Sequence, residues 1–210
     1  MPLIHSSNDS SYTHLIWHCS EDANLFRSKL NLTNYELNIL EKRKNSKKAL
    51  QFLCSRLLLR LCKLDPDDLI YNEFGAPILK SGKFISISHC QNYVTVLLSN
   101  QSCGVDIETK RKQILKIKHK FLNQTDINNI DMDNISDLIL IWTLKESIYK
   151  LCHYSGIDFK DQIFISSLDI KNNLANAYVD INGSITNLIC KFQINKEYIC
   201  STVFIDDGLS

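Results

Sequence analysis

Hydrophobic and polar positions along this 210-residue chain change between a helical and a strand-like period, which predicts alternating helices and strands. In the first half, apolar residues at helical spacing from 48 to 63 predict the main helix, which Asp65-Pro66 ends. The charged stretch 33–48 before it is largely helical, with Thr33 as its cap. Short apolar runs predict strands at 13–19, 69–72, 84–88 and 93–98.

The second half repeats this general plan. A strand at 104–108 opens it, and a long apolar helix is predicted at 135–152. Two short helices at 114–121 and 125–130 lie between them. Four strand-like runs follow, at 164–170, 175–181, 185–194 and 198–205. The pattern therefore predicts an α+β fold with two halves, residues 1–102 and 103–210, and no low-complexity linker between them.

Composition narrows the class of protein. The chain is 44% hydrophobic and 22% charged, which is typical of a globular protein with a sizeable core, and its net charge of +1 gives no support to a nucleic-acid partner. Eight cysteines occur without a C-x-x-C pair, and the start of the chain lacks the features of a signal peptide, so we expect thiols and a cytoplasmic protein. No apolar run approaches the roughly 18 residues of a membrane helix, so we expect no membrane partner.

Acidic and basic side chains concentrate in two short segments of the second half. Asp106 and Glu108 are two residues apart in the predicted strand, so their carboxylates point to the same face. On the long helix, four chemically distinctive residues fall within an arc of roughly 140° at 100° per residue. These residues are Trp142, Lys145, Glu146 and Lys150. Three carboxylates with two ammonium groups are suited to a hard divalent cation and a polyphosphate.

The order and spacing of three segments resemble the motifs of one enzyme family. Gly104 to Glu108 reads Gly-Val-Asp-Ile-Glu, and 142–150 reads Trp-x-x-Lys-Glu-Ser-x-x-Lys. The run Phe-Ile-Ser-Ile-Ser-His at 84–89 precedes both. Together these segments resemble the 4'-phosphopantetheinyl transferases, and they are similar to the larger, surfactin-synthetase-type subgroup. That resemblance implies two similar α+β halves packed as an intramolecular pseudo-dimer, and a monomeric enzyme.

The resemblance also implies a reaction and roles for individual residues. The enzyme would transfer the 4'-phosphopantetheine arm of coenzyme A to a serine of an apo acyl or peptidyl carrier protein, releasing adenosine 3',5'-bisphosphate. Asp106, Glu108 and Glu146 would hold Mg²⁺. Glu146, or a metal-bound water that it orients, would take the serine proton, and Lys145 or Lys150 would balance the charge that develops.

Contacts with coenzyme A are implied in both halves. The family's phosphate-binding Ser-His corresponds to Ser88 and His89, and the turn ahead of it to 75–77. A departure occurs at Ala76, where the family usually has a lysine, and a second at 154–157, which replaces a Gly-x-Gly-Leu turn. Basic residues between 42 and 48 are candidates for the 3'-phosphate. The full set of expected coenzyme A contacts is Arg56, Gly75, Pro77, Ser88, His89, Lys145 and Lys150.

Other interpretations of the same residues stay open at this point. The two strand carboxylates could face solvent on an edge strand, and Glu146 with Lys150 could be a surface pair at i,i+4. At the level of function, the alternatives are a catalytically altered module that binds coenzyme A or a carrier protein, and a metal-dependent phosphodiesterase. Dependence of turnover on an acceptor serine distinguishes transfer from hydrolysis.

Overall fold

The chain divides into two compact units, residues 1–100 and 101–210. The computed structural model describes residues 3–20, 23–43, 46–153 and 156–206. Both units combine helices with antiparallel strands, as the sequence pattern predicts. The predicted boundary after residue 102 lies two positions further along the chain than the division in the structure.

The first unit contains a four-stranded antiparallel sheet in the order β1-β2-β6-β5 and a separate two-stranded hairpin of β3 and β4. A short 3₁₀ turn at Pro66–Asp68 precedes the hairpin. The bounds are β1 Leu3–Asn8, β2 Tyr12–His18, α1 Ala23–Lys29, α2 Asn34–Glu41, α3 Ser46–Leu61, β3 Leu69–Tyr71, β4 Pro77–Leu79, β5 Phe84–Cys90 and β6 Tyr93–Ser99.

The core of the first unit lies between α3 and the four-stranded sheet. Leu53 and Leu58 of α3 and Val94 and Val96 of β6 are fully buried in it. Thr33 caps α2 as predicted, because its hydroxyl accepts from the Glu36 amide while the Glu36 carboxylate accepts from the Thr33 amide. The helical stretch ends earlier than predicted, at Glu41 instead of 48.

The second unit contains a five-stranded antiparallel sheet in the order β7-β11-β10-β9-β8. A 3₁₀ turn at Lys118–Lys120 separates α4 from α5. The bounds are β7 Cys103–Thr109, α4 Ile114–Ile117, α5 Gln124–Ile127, α6 Ile135–Cys152, β8 Ile163–Asp169, β9 Leu174–Ile181, β10 Ser184–Ile194 and β11 Tyr198–Ile205.

Helix α6 packs across β7 and β11 at very short range. A Cβ atom at Gly104 would lie 1.9 Å from the Ser147 carbonyl oxygen, so only glycine permits this approach of strand and helix. The Ser201 hydroxyl donates to the Thr143 carbonyl at 2.8 Å and ties β11 to the same helix. Although α6 is strongly apolar, no helix within the described ranges has the length and hydrophobicity needed to cross a bilayer.

The eight cysteines are all thiols and lie in both units. Several are buried in the two cores, where apolar surroundings disfavour the thiolate. Burial raises the pKa of the Cys103 and Cys190 thiols to about 12. These side chains therefore behave as small hydrophobic groups.

Candidate active site

Strand β7 places two carboxylates on the same side of the second unit's sheet. Asp106 pairs with Ser201 and Glu108 with Ile199 on the neighbouring strand β11. Because side chains alternate along a strand, residues two apart share a face, which agrees with the prediction from spacing. Asp106 is buried and Glu108 is half-buried, so neither is an ordinary solvent-facing residue of an edge strand.

Lys150 of α6 binds the first of these carboxylates. Its ammonium nitrogen lies 2.6 Å from Asp106 Oδ1 and also donates to the Val105 carbonyl at 3.2 Å. The Lys150 side chain is 28% exposed and that of Asp106 only 7%, so the pair lies at the boundary between core and solvent. A charge-assisted hydrogen bond of this length compensates the burial of the carboxylate.

Glu108 is held by two donors. Arg111 forms a two-pronged ion pair with it, in which Nη2 donates to Oε1 at 2.9 Å and Nη1 donates to Oε2. The indole nitrogen of Trp142 donates to the same Oε1 at 3.2 Å. Sequence reasoning missed Arg111, although a basic residue three positions after a candidate ligand at a strand end was a signal for it.

Glu146 completes a group of three acids on β7 and α6. Burial raises the pKa of its carboxyl to about 7, and repulsion from Asp106 and Glu108 acts in the same direction. The positive charges of Lys150 and Arg111 partly oppose this rise in pKa. The two strand carboxylates and the helix carboxylate therefore share one electrostatic environment with two cations.

The arrangement is not a preformed metal centre. Within residues 3–20, 23–43, 46–153 and 156–206, no three His, Cys, Asp or Glu side chains are spaced as a ligand set. The donor chemistry nevertheless fits Mg²⁺, which prefers carboxylate oxygens, and the repulsion that raises the Glu146 pKa is what a bound cation would relieve. The ligand set of Asp106, Glu108 and Glu146 stays a prediction.

Lys145 lies away from the three acids. Its side chain is fully buried, its nitrogen lies 2.5 Å from Asp126 Oδ2, and it donates to three backbone carbonyls. This corrects the expectation that one helix face presents both lysines beside the acid. Positions 145 and 150 are about 140° apart around a helix, so a single cleft receives only one of them. A direct contact of Lys145 with coenzyme A stays a prediction without geometric support.

In the first unit, Arg56 is a core residue. Only 1% of its side chain is exposed, its Nε lies 3.2 Å from Glu36 Oε1, and its Nη2 donates to the Tyr71 hydroxyl at 2.9 Å. The guanidinium also stacks 4.3 Å from the centre of the Phe52 ring. Through Tyr71 in β3, Arg56 supports the hairpin that carries the next two predicted residues.

Those two residues, Gly75 and Pro77, shape the turn between β3 and β4. Gly75 has a positive φ of 79° in an exposed turn, and Pro77 begins β4. The Asn72 side chain accepts from the Phe74 and Ala76 amides at 3.0 and 2.8 Å, which fixes the turn without the basic residue usual in the family.

Ser88 and His89 are neighbours on β5, an edge strand of the first unit's sheet. Ser88 is buried and His89 is exposed, as strand alternation requires for adjacent residues. Of the two, only His89 is therefore exposed, and the structure does not put the two side chains on one face. The second departure from the family pattern, at 154–157, falls partly on residues 154 and 155, which lie outside the described ranges.

Comparison with known proteins shows what the second unit is similar to. Residues 102–203 match the family model of the 4'-phosphopantetheinyl transferase superfamily. Over 106 residues the chain is 26% identical to the 4'-phosphopantetheinyl transferase gsp of Aneurinibacillus migulanus, covering 48% of this chain and 45% of that relative. It is 27% identical over 106 residues to the 4'-phosphopantetheinyl transferase Sfp of Bacillus subtilis (strain 168), covering 47% of each.

The match of this segment confirms the predicted resemblance to the 4'-phosphopantetheinyl transferase superfamily. The matched part spans about half the length of each of these relatives. It contains β7 and α6 entire, and with them all three carboxylates and both cations of the candidate site.

Proposed function

We propose that this protein is a 4'-phosphopantetheinyl transferase that converts an apo acyl or peptidyl carrier protein to its holo form. Coenzyme A is the donor, a serine of the carrier is the acceptor, and adenosine 3',5'-bisphosphate is released. The names of the two relatives and the family match of residues 102–203 support this activity.

One observation carries the proposal. Asp106 and Glu108 on one face of β7 interact electrostatically with Glu146 on α6, and Lys150 of the same helix binds Asp106. An acidic cluster with an adjacent ammonium group is suited to a pyrophosphate and a divalent cation together, since phosphoryl-type transfer depends mainly on positioning and charge neutralisation.

We infer that Asp106, Glu108 and Glu146 hold Mg²⁺. When bound, Mg²⁺ would neutralise charge on the pyrophosphate oxygens and so favour the departure of the leaving group. Arg111 orients Glu108 by a two-pronged ion pair, and Trp142 donates a further hydrogen bond to the same carboxylate. These two partners fix the direction in which the Glu108 oxygens point.

The residues of α6 account for the proton and the developing charge. The serine oxygen forms a bond to the phosphorus that carries the pantetheine arm, and the bridging P–O bond to the adenosine 3',5'-bisphosphate breaks. Glu146, or a water that it orients, accepts the serine proton. Lys150, which already binds an anionic oxygen of Asp106, balances negative charge on the phosphates.

We assign the remaining coenzyme A contacts to the first unit. The exposed imidazole of His89 is the proposed phosphate donor, and the turn at Gly75 and Pro77 is the proposed backbone contact. Ser88 and Arg56 are buried, so we propose that they support the strand and the hairpin instead of reaching the ligand. Lys80 and Lys83 are exposed and are the candidates for the basic contact missing at Ala76.

The proposed protein partner is an acidic carrier protein. From the end of β7 to the end of the second 3₁₀ turn the only charged side chains are lysines and one arginine, and the exposed lysines are Lys110, Lys112, Lys116 and Lys120. Such a one-sign segment beside the candidate site would steer an acidic domain toward it. We further propose the surfactin-synthetase-type arrangement of two α+β halves in a single chain, a monomeric enzyme and a cytoplasmic location.

Intact-mass spectrometry of an apo carrier protein tests the proposal. The carrier is incubated with this protein, coenzyme A and Mg²⁺, with and without a chelator. A metal-dependent mass gain of one phosphopantetheine group, lost when the acceptor serine is changed to Ala, is the expected result.

Two outcomes would contradict the proposal. Breakdown of coenzyme A without any carrier protein would indicate a phosphodiesterase. Binding of coenzyme A with no mass gain on acyl or peptidyl carriers would indicate a non-catalytic binding module. Sedimentation analysis tests the monomer separately, and a constitutive oligomer would contradict that part alone.

A further inference from the structure

We propose that the buried ion pair of Lys145 and Asp126 is a positioning device for Glu108, acting through the side chain of Trp142. The inference rests on the proposed function, in which Glu108 is a ligand for Mg²⁺. In this proposal Lys145 is a positioning residue, which acts through Trp142 and not by direct contact with substrate.

The ion pair is closed off from solvent. Both side chains are 0% exposed, and the ammonium nitrogen lies 2.5 Å from Asp126 Oδ2. Asp126 is fixed in turn, because its carboxylate accepts from the Ile165 amide and the Asn123 amide at 3.0 Å each. The pair therefore joins α6, the start of α5 and strand β8 at one point.

The carbonyl partners of Lys145 show what the pair holds in place. Its nitrogen donates to the carbonyls of Phe121 at 2.8 Å, Phe159 at 2.7 Å and Ile163 at 2.7 Å. Phe121 and Phe159 lie outside helices and strands, so regular secondary structure does not fix their backbones. The ammonium group is the common anchor of both segments.

The rings of these same two phenylalanines enclose Trp142. The Phe121 ring meets the indole edge-on at a centroid distance of 5.2 Å, and the Phe159 ring is tilted against it at 5.6 Å. Trp142 lies one turn before Lys145 on α6 and donates its indole hydrogen to Glu108 at 3.2 Å. A continuous path of contacts thus runs from the buried ion pair to a predicted metal ligand.

A contribution to folding stability does not by itself explain the buried ion pair of Lys145 and Asp126. Replacing a buried ion pair by apolar residues of similar volume is often neutral or stabilising, because desolvation offsets the attraction of the charges. An apolar side chain at 145 would fill the space but could not hold two carbonyls of irregular segments. We therefore assign the pair to fixing the geometry around Trp142.

The test uses Trp142 itself as a reporter. The chain has two tryptophans, so a Trp17→Phe background leaves Trp142 as the only one. In that background, Lys145→Met and the double variant Lys145→Met with Asp126→Asn are compared with the parent by acrylamide quenching of fluorescence. The double variant avoids an uncompensated buried carboxylate and keeps a hydrogen-bond acceptor at 126. The Mg²⁺ concentration for half-maximal transfer is measured on the same proteins.

In both variants we expect Trp142 to become more accessible to the quencher. We also expect the Mg²⁺ concentration for half-maximal transfer to rise about tenfold, because loss of a group that orients a metal ligand weakens metal binding by at least that factor. Leu188→Ala, which truncates a buried residue of β10, controls for general destabilisation and should leave both values unchanged. A folded double variant with parental quenching and parental Mg²⁺ requirement would overturn the proposal. If the parent transfers nothing, the proposed function fails, while quenching still decides whether the pair positions Trp142.

Discussion

The ammonium group of Lys150 on α6 is hydrogen-bonded to the carboxylate of Asp106 on β7 at 2.6 Å. This single contact joins the two segments that carry the acidic residues of the site. It also places a positive charge where the buried Asp106 and the neighbouring Glu146 carry negative charge, which is why Lys150 opposes the rise in the Glu146 pKa. In the proposed reaction, the same ammonium would be available to the phosphates if a bound divalent cation neutralised the acids.

Removing the charge of Asp106 should strongly slow transfer while leaving the fold intact. We expect Asp106→Asn to lower the rate of phosphopantetheine transfer by about 10²- to 10³-fold, as for loss of one preorganised charged group. Lys150 retains its bond to the Val105 carbonyl, so α6 stays attached to β7. The readout is single-turnover transfer followed by mass spectrometry, with circular dichroism as the check on folding. Full activity of Asp106→Asn would refute the assignment of Asp106 as a metal ligand. The matched control is Asp161→Asn, which changes an exposed loop residue.

Glu146→Gln should lower the rate of phosphopantetheine transfer as much as the change at Asp106. The side chain keeps its size but loses its capacity to accept a proton and to bind a cation. We expect transfer to fall by about 10²-fold or more, in the range of lost general-base catalysis. Coenzyme A binding, measured by calorimetry without metal, should change little. A variant that transfers at the parental rate would show that Glu146 has no catalytic part.

Gly104 should tolerate no side chain. A Cβ added at this position would lie 1.9 Å from the Ser147 carbonyl oxygen, so alanine forces α6 away from β7. We expect Gly104→Ala to lower the free energy of unfolding by about 3 kcal/mol, the upper part of the range for overpacking. Urea denaturation measures this. As the control, Gly183→Ala changes a turn residue with φ of 85° and open space around it, and should lower the free energy of unfolding by only about 1 kcal/mol through backbone strain. Equal losses of unfolding free energy in the two variants would contradict the packing explanation.

The basic segment after β7 should affect the carrier protein and not coenzyme A. We expect the triple change of Lys112, Lys116 and Lys120 to Glu to raise the KM for an acidic carrier and to weaken its dependence on salt, with the KM for coenzyme A unchanged. A control with the same change in net charge replaces the exposed Lys160, Lys171 and Lys196 by Glu. If both triple variants behave alike, net charge and not this segment governs carrier recognition.

Helix α6 shows how far sequence alone could go. The pattern predicts 135–152, and the structure has Ile135–Cys152, because a long run of apolar residues with few charges leaves little choice of period. Strands β9 to β11 were also predicted almost to the residue. In contrast, β1, α1 and β4 were missed, since β1 is rich in polar residues and β4 has only three residues after a turn.

The candidate site was predictable only where local geometry decides it. The shared face of Asp106 and Glu108 follows from strand alternation, whereas the burial of the Lys145 side chain depends on tertiary contacts. Its partner Asp126 is nineteen positions earlier, and two of its three carbonyl partners, Phe121 and Phe159, belong to irregular segments that no periodicity describes. Spacing on a helix therefore gave the direction of each side chain but could not tell a solvent-facing edge from a buried one.

The stability of the first unit should depend on pH through His14. This residue of β2 is 5% exposed, and its Nε2 is hydrogen-bonded to the Thr95 hydroxyl at 2.9 Å. Burial, with a smaller effect from the His5 charge, lowers the pKa of its imidazole to about 3. An unfolded chain binds this proton below about pH 6.5. Between pH 6.5 and 3 the unfolded state therefore holds more protons, and stability falls as pH falls.

The expected loss is about 2 kcal/mol between pH 7.5 and pH 5, from a linkage slope that approaches 1.4 kcal/mol per pH unit. His14→Gln keeps a hydrogen-bonding group near Thr95 but cannot be protonated in this range. The variant should therefore lack the loss of about 2 kcal/mol in unfolding free energy that His14 causes in the parent between pH 7.5 and pH 5. Urea titrations at pH 7.5, 6 and 5 provide the comparison, and His119→Gln removes an exposed imidazole as the control. Parallel pH profiles for the parent and His14→Gln would mean that His14 is protonated in the folded protein as readily as in the unfolded chain.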